Sequence, residues 1–315
     1  MRETMIRRWL AVVTIAQCFG TVLAQPLDLD DVEIEVLHVR GNVYLLHGAG
    51  GNTTASVGAD GILLVDTQFA PLADKLLAAA QAIDDGPLRY VVNTHMHADH
   101  IGGNARLRAL APGTSFEPFS LVAHLNTLSR LVALEREDPG AVPEGALPLD
   151  SYDTPSRDIY FNGEAVYFYH EPNAHTDGDT IVHFRGSDVI STGDVFVPEG
   201  YPFIDTANGG SVQGLIDALN HVLFLAVPAK TQEGGTYIVP GHGRICDEAD
   251  LVEYRDMVVI IKERIEDMIA RGMSLRQIQR ERPSRDYDTE YVMENSFVMA
   301  EAFVESIYRS LVEAR

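Results

Sequence analysis

Three imidazoles and one carboxylate occupy the short run His95-Met96-His97-Ala98-Asp99-His100, and few folds can accommodate such a cluster. The run follows residues 88–94, Leu-Arg-Tyr-Val-Val-Asn-Thr, which have the length and composition of a short buried strand. On extended backbone, side chains two apart point the same way, so His95 and His97 can grip one cation together. Asp99 and His100 come just past the strand and face the other side of the same opening. Imidazole nitrogen and carboxylate oxygen suit zinc, and there are enough donors here for parts of two metal sites. Gly102 and Gly103 follow directly, as at a tight strand-to-helix passage.

Further donors lie downstream. His175 sits in the polar turn of residues 173–179, between the strand-like runs 165–170 and 180–184. Asp194 closes the apolar run 188–194, and His242 lies in Pro240-Gly241-His242-Gly243, directly after the strand-like residues 236–239. Each donor therefore follows an extended segment, where the loops of a layered α/β domain gather into a site. Alone, either histidine reads as a turn residue and Asp194 as a cap. Together with the first cluster they read as a metal centre.

The order H-x-H-x-D-H, an isolated His, T-G-D and P-G-H-G resembles the metallo-β-lactamase superfamily, and the likeness runs from about Val36 to the final helix. The resemblance implies a four-layer αββα sandwich. It also implies two zinc ions: one held by His95, His97 and His175, the other by Asp99, His100 and His242, with Asp194 bridging both. The stretches 174–180 and 201–205 are similar to an exported bacterial subgroup of MBL-fold hydrolases. Where one lactamase type has a zinc-binding cysteine this chain has Asp194, and a bridging aspartate is more typical of glyoxalase II-like thioesterases and lactonases.

Two cations about 3.5–4 Å apart can share a water and lower its pKa from about 15.7 towards neutrality. The expected chemistry is attack of that bridging hydroxide on a cyclic amide or ester, β-lactams being the named substrate, with Asp99 orienting the nucleophile. The alternatives are a lactonase or a glyoxalase II-like thioesterase. A mononuclear iron persulfide dioxygenase and a metal-binding protein without turnover complete the set; the full second donor set counts against the dioxygenase.

Residues 1–24 have a basic start (Arg2, Arg7, Arg8), an apolar core at 9–19, and Val22-Leu23-Ala24 before Gln25. That pattern is a cleaved secretory leader, placing the mature domain of residues 25–315 in the periplasm or outside the cell. The apolar run falls short of the roughly 20 residues that span a bilayer, so no stable membrane insertion is expected after cleavage. Cleavage leaves Cys246 as the one cysteine, which excludes an intrachain disulfide and suits a small buried hydrophobe. A formal charge of −22, with no Lys/Arg stripe, argues against nucleic acid and for a small-molecule substrate.

Residues 32–39, 42–47, 54–57 and 61–66 read as strands, 72–83 as a helix, 103–110 as a helix and 120–123 as extended. Residues 134–158, rich in Pro, Asp and Glu and without a clear period, read as an insertion or flap. In the second half, 212–226 is a helix with Val212, Leu215, Leu219, Val222 and Leu223 on one face. Asp250 and Glu253 form a capping-box pattern for a last long helix whose Leu251, Tyr254, Val258, Ile261, Ile265 and Met268 make an apolar stripe ending at Gly272. Residues 48–54, Gly-Ala-Gly-Gly-Asn-Thr-Thr, are a candidate lid or hairpin turn, and Phe196, Tyr201 and Phe203 a candidate apolar wall. His38, His47, His170, His183 and His221 are expected to make local hydrogen bonds, and His124 to approach the site from behind.

Overall fold

The computed structural model describes residues 29, 31–111, 119–292 and 298–313. The expected leader lies outside the described residues. Seven strands form one sheet: β1 (Glu35–Arg40), β2 (Val43–Gly48), β3 (Gly51–Gly58), β4 (Gly61–Val65), β5 (Leu88–Val92), β6 (Ser120–His124) and β7 (Asp150–Tyr152). They pair in chain order, antiparallel through β4 and parallel from there on. The second sheet runs β12-β11-β10-β9-β8, from β8 (Ser156–Phe161), β9 (Glu164–Glu171), β10 (Asp179–Phe184), β11 (Val189–Gly193) and β12 (Tyr237–Pro240).

Alternation along the strands builds the layers. Val43, Leu45, Leu63, Val65, Val92 and Val122 point from the first sheet onto Val166, Phe168, Val182, Phe184, Val189 and Val239 of the second, sealing the two sheets face to face. Their neighbours Leu46, Ile62, Leu64, Val91 and Leu121 point the other way, onto α1 (Ala73–Gln81) and α3 (Asn104–Leu110), through Leu72, Leu76 and Leu107. Ile181, Ile190 and Ile238 leave the second sheet towards α5 (Val212–Leu225), α6 (Glu248–Ala270) and α9 (Ala300–Glu313). The result is the αββα sandwich. Phe168 and Phe184 are wholly buried in the middle layer, where Phe→Ala costs about 3–5 kcal/mol.

Residues 134–158 are not an insertion. They hold the end of α4 (Leu125–Glu137), then β7 on the edge of the first sheet, then the start of β8 on the edge of the second. This is where the chain crosses between the two halves. Val142 and Ala146 pack with Leu131 of α4 and Ile101 beneath the crossing. The capping box of α6 also sits one turn earlier than its sequence pattern: Asp247 accepts from the amide of Asp250, whose side chain accepts from Asp247 N. The α6 stripe packs as expected, with Leu251, Tyr254, Val258, Ile261 and Ile265 buried and Met268 partly so. Among the described residues, no helix is long and apolar enough to cross a membrane.

Candidate metal centre

All seven donors meet at one edge of the sandwich, where strand ends from both sheets open into loops. His95 follows β5; His97 stands at the N-cap of the short helix α2 (Ala98–Ile101), which carries Asp99 and His100. His175 comes from the β9–β10 turn, Asp194 follows β11 and His242 follows β12. Three donor groups form within this edge: His95, His97 and His175; His95, His100 and Asp194; and Asp99, His100 and His242.

Asp194 stands between the two sides. Its Oδ2 is 4.0 Å from the Nε2 of both His95 and His175, while its Oδ1 is 3.4 Å from His100 Nε2 and 3.5 Å from His242 Nε2. Asp99 Oδ2 is 3.3 Å from His242 Nε2 and 3.6 Å from His100 Nε2. The approach of the last loop requires Gly241, because a Cβ there would strike Asp194 Oδ1.

Hydrogen bonds behind the donors fix which nitrogen of each ring faces the centre. Asp66 Oδ2 accepts from His100 Nδ1 at 2.8 Å and from Thr94 Oγ1 at 2.7 Å, which leaves the Thr94 oxygen to accept from His95 Nδ1 at 3.0 Å. Asp205 Oδ2 accepts from His97 Nε2 at 2.9 Å, and the Phe203 carbonyl accepts from His175 Nδ1 at 2.6 Å. With these tautomers His95, His97, His100 and His175 each spend an N–H outward and turn a lone pair inward, the arrangement that orients histidine for a metal. The inward pair His97 Nδ1 and His175 Nε2 is only 3.0 Å apart. Two nitrogens at that distance need a proton or a metal ion between them.

Buried His95 Nε2, His100 Nε2 and Asp194 Oδ1 make no hydrogen bond. Orphaned buried polar atoms are costly, and here they converge, so the residues fit bound metal. In the metal-free chain the rings divide into two groups. Burial, with His100 and His175 nearby, holds His95 well below the ordinary histidine value, and burial brings His175 down to about 4. Burial also opposes charge on His100, but Asp194 and Asp66 overcome it and push that ring well up. In the same way Asp194 and Asp99 carry His242 to about 9 against the cost of burial. Asp194 lies well below the carboxylate range, since His100 and His242 outweigh its desolvation.

Nothing in the local sequence marks Asp205 or Thr94 as a partner of these rings. Asp66 had a signal: it ends an apolar strand, as Asp194 does. His124 does not reach the donors. It caps α4 through Asn126 N and stacks on His170 at 3.5 Å; His170 in turn bonds the Asp177 carbonyl in the His175 turn. His38 and His221 make local bonds, to Gly41 O and Glu171, whereas His183 Nδ1 has none. Of the expected apolar wall, Phe196 and Tyr201 are core. Only Phe203 is exposed, its ring 5.8 Å from that of His97 and 5.7 Å from that of His175. Cys246 is buried and makes no part of the centre; burial pushes its thiol up to about 12.

The family model of the metallo-β-lactamase superfamily matches residues 40–242. This chain belongs to the metallo-β-lactamase superfamily. Among curated members, a hydroxyacylglutathione hydrolase from Crocosphaera subtropica is 29% identical over 154 residues, 49% of this chain and 47% of that protein. A second, from Rhodospirillum rubrum, is 31% identical over 112 residues, 35% of this chain and 40% of its own length. The chain thus spans less than half the length of these relatives. In structure, the sec-alkylsulfatase Pisa1 from Pseudomonas sp. superposes with a TM-score of 0.67 at 16% identity, over 88% of this chain and 50% of that one. A metallo-β-lactamase from Pontibacter korlensis gives 0.55 at 16% identity, over 72% of this chain and 99% of that one. Both share the fold. Within the matched region this chain carries a cluster of side chains able to hold metal.

Proposed function

We propose that the chain is an exported dinuclear zinc hydrolase that opens a cyclic ester or amide. The observation that carries this reading is the meeting of seven donors in two adjoining sets with Asp194 between them. His95, His97 and His175 would hold one ion, Asp99, His100 and His242 the other, and Asp194 would touch both. When bound, the two ions supply a water acidified to near neutrality and a Lewis acid for the acyl oxygen. Asp66, Thr94, Asp205 and the Phe203 carbonyl keep the rings turned for that task. Asp99 is held ionised at the more open side of the cluster, where it would orient the attacking water by accepting its hydrogen bond. Phe203 offers an apolar surface to the substrate beside His97 and His175.

Among the described residues, Arg130 and Arg244 flank the ligand loops, and both are engaged. Arg130 pairs with Asp177 at 2.7 Å, and Arg244 with Asp250 at 2.6 Å. Neither stands ready to clasp a substrate carboxylate, which moves an uncharged lactone ahead of a β-lactam. A second reading, thioester hydrolysis, is favoured by the hydroxyacylglutathione hydrolases among the relatives. Assay of the zinc-loaded protein against an acyl homoserine lactone, nitrocefin and an acylglutathione thioester tests all three. Chelator-sensitive turnover of the lactone is expected; turnover of the thioester alone would favour the second reading, and turnover of none would overturn the acyl-hydrolase reading.

A further inference from the structure

The glycine-rich run of residues 48–54 spans the end of β2, the tight turn at 49–50 and the start of β3, where Asn52 reaches across 188 residues of sequence into the His242 loop. Asn52 Nδ2 donates to the carbonyls of Pro240 and Gly243, both at 2.9 Å, and Asn52 N donates to that of Gly241 at 2.8 Å. Three of the four carbonyls of Pro-Gly-His-Gly are thus held by one residue. The Asn52 amide is itself anchored, its Oδ1 accepting from His47 Nδ1 at 2.9 Å. Gly51, at φ +120°, brings the two chains this close: a Cβ there would meet Gly241 O at 2.7 Å. His242 needs such help. Its side chain is 35% exposed, whereas those of His95, His100 and His175 are 1% exposed or less.

We infer that Asn52 is the positioning residue of His242, and so sets the affinity of the second metal set without acting on the first. The inference rests on the dinuclear reading above. The physical ground is entropic and geometric: a loop pinned at three carbonyls presents its imidazole already aimed, and a loosened one must be ordered by the ion itself. The His95, His97 and His175 set hangs on other partners, Thr94, Asp205 and the Phe203 carbonyl, none of which Asn52 touches.

The test is zinc titration of the mature protein in competition with a chromophoric chelator, with native mass spectrometry counting ions per chain. Wild type binding two ions secures the parent reading, and binding fewer would sink that reading instead. In Asn52→Ala one of the two affinities is expected to fall about 10–100-fold with the other unchanged. Asn52→Asp keeps the volume and the His47 contact but turns an acceptor towards Pro240 O and Gly243 O, so the same loss is expected. His47 is exposed, so His47→Ala folds even where a change at buried Asn52 does not, and a smaller loss at the same single site is expected. A merely structural Asn52 would lower the Tm and leave both affinities alone. That result, or an equal fall at both sites, overturns the inference.

Discussion

Asp66→Asn probes the centre from behind without touching a donor. Asp66 is 2% exposed and sits at φ +65°, a conformation asparagine also tolerates, so the backbone should hold. Its Oδ1 accepts from Thr94 N at 2.8 Å, and asparagine can keep that bond. Its Oδ2 accepts from Thr94 Oγ1 and His100 Nδ1, and there asparagine places an NH2 against two donors. His100 must then give up its Nδ1 proton or turn, and the inward lone pair on Nε2 is lost. In the metal-free chain the variant also strips one of the two carboxylates that sustain charge on a buried His100. Breaking a buried pair costs about 3–5 kcal/mol, and the lower figure applies because Asp194 still faces the ring. Over residues 25–315, at about 2.1 cal/mol/K of unfolding entropy per residue, that is a fall of about 5 °C in Tm. Zinc titration should show the affinity of the set containing His100 weakened about 10–100-fold, and scanning calorimetry of the metal-free protein should show the Tm loss. Wild-type zinc affinity in Asp66→Asn would refute the claim that this carboxylate selects the metal-binding tautomer.

Three other outcomes follow from the same structure. His97→Ala should lower turnover at least about 100-fold and reduce bound zinc, with circular dichroism unchanged; full activity would remove His97 from the centre. His183 is buried and held at about 4, so it must stay neutral in the fold while the unfolded chain charges near 6.5. Its contribution is present above 6.5 and lost as pH falls towards 4, amounting to about 2 kcal/mol by pH 5; His183→Leu should flatten that part of the acid slope in metal-free protein, and an unchanged slope would contradict this. Trp9 is the only tryptophan, so a chain exported and cut before Gln25 should give no indole emission on excitation at about 295 nm, and N-terminal sequencing should start at Gln25.

That these seven side chains meet could be read in the sequence because histidine and aspartate stand out at strand ends, and five of the seven lie within two such ends: His95, His97, Asp99 and His100 after β5, and His242 after β12. The strands and the long amphipathic helices were legible for the same reason: periodic burial leaves a periodic pattern. What lies behind the donors was not. Asp66 and His100 are 34 positions apart, Asp205 and His97 108 apart, and no local pattern records such pairs. The helix α4 buries little beyond Thr127 and Leu131 and leaves Leu125 and Leu134 exposed, so its stripe is faint. β7, three residues long and on a sheet edge, is too short for alternation to show. The glycines of residues 48–54 suit either a lid or a hairpin turn; the structure has the hairpin between β2 and β3, and the hydrogen bonds of Asn52 clamp it to the His242 loop.

Crystals of the protein measured on either side of the zinc absorption edge would test the central claim most directly. Two anomalous peaks are expected at the strand-end edge, one bordered by His95, His97 and His175, the other by Asp99, His100 and His242, with Asp194 reaching both. A single peak, an iron signal in place of zinc, or a zinc-soaked crystal with no peak among these residues would contradict a two-zinc centre.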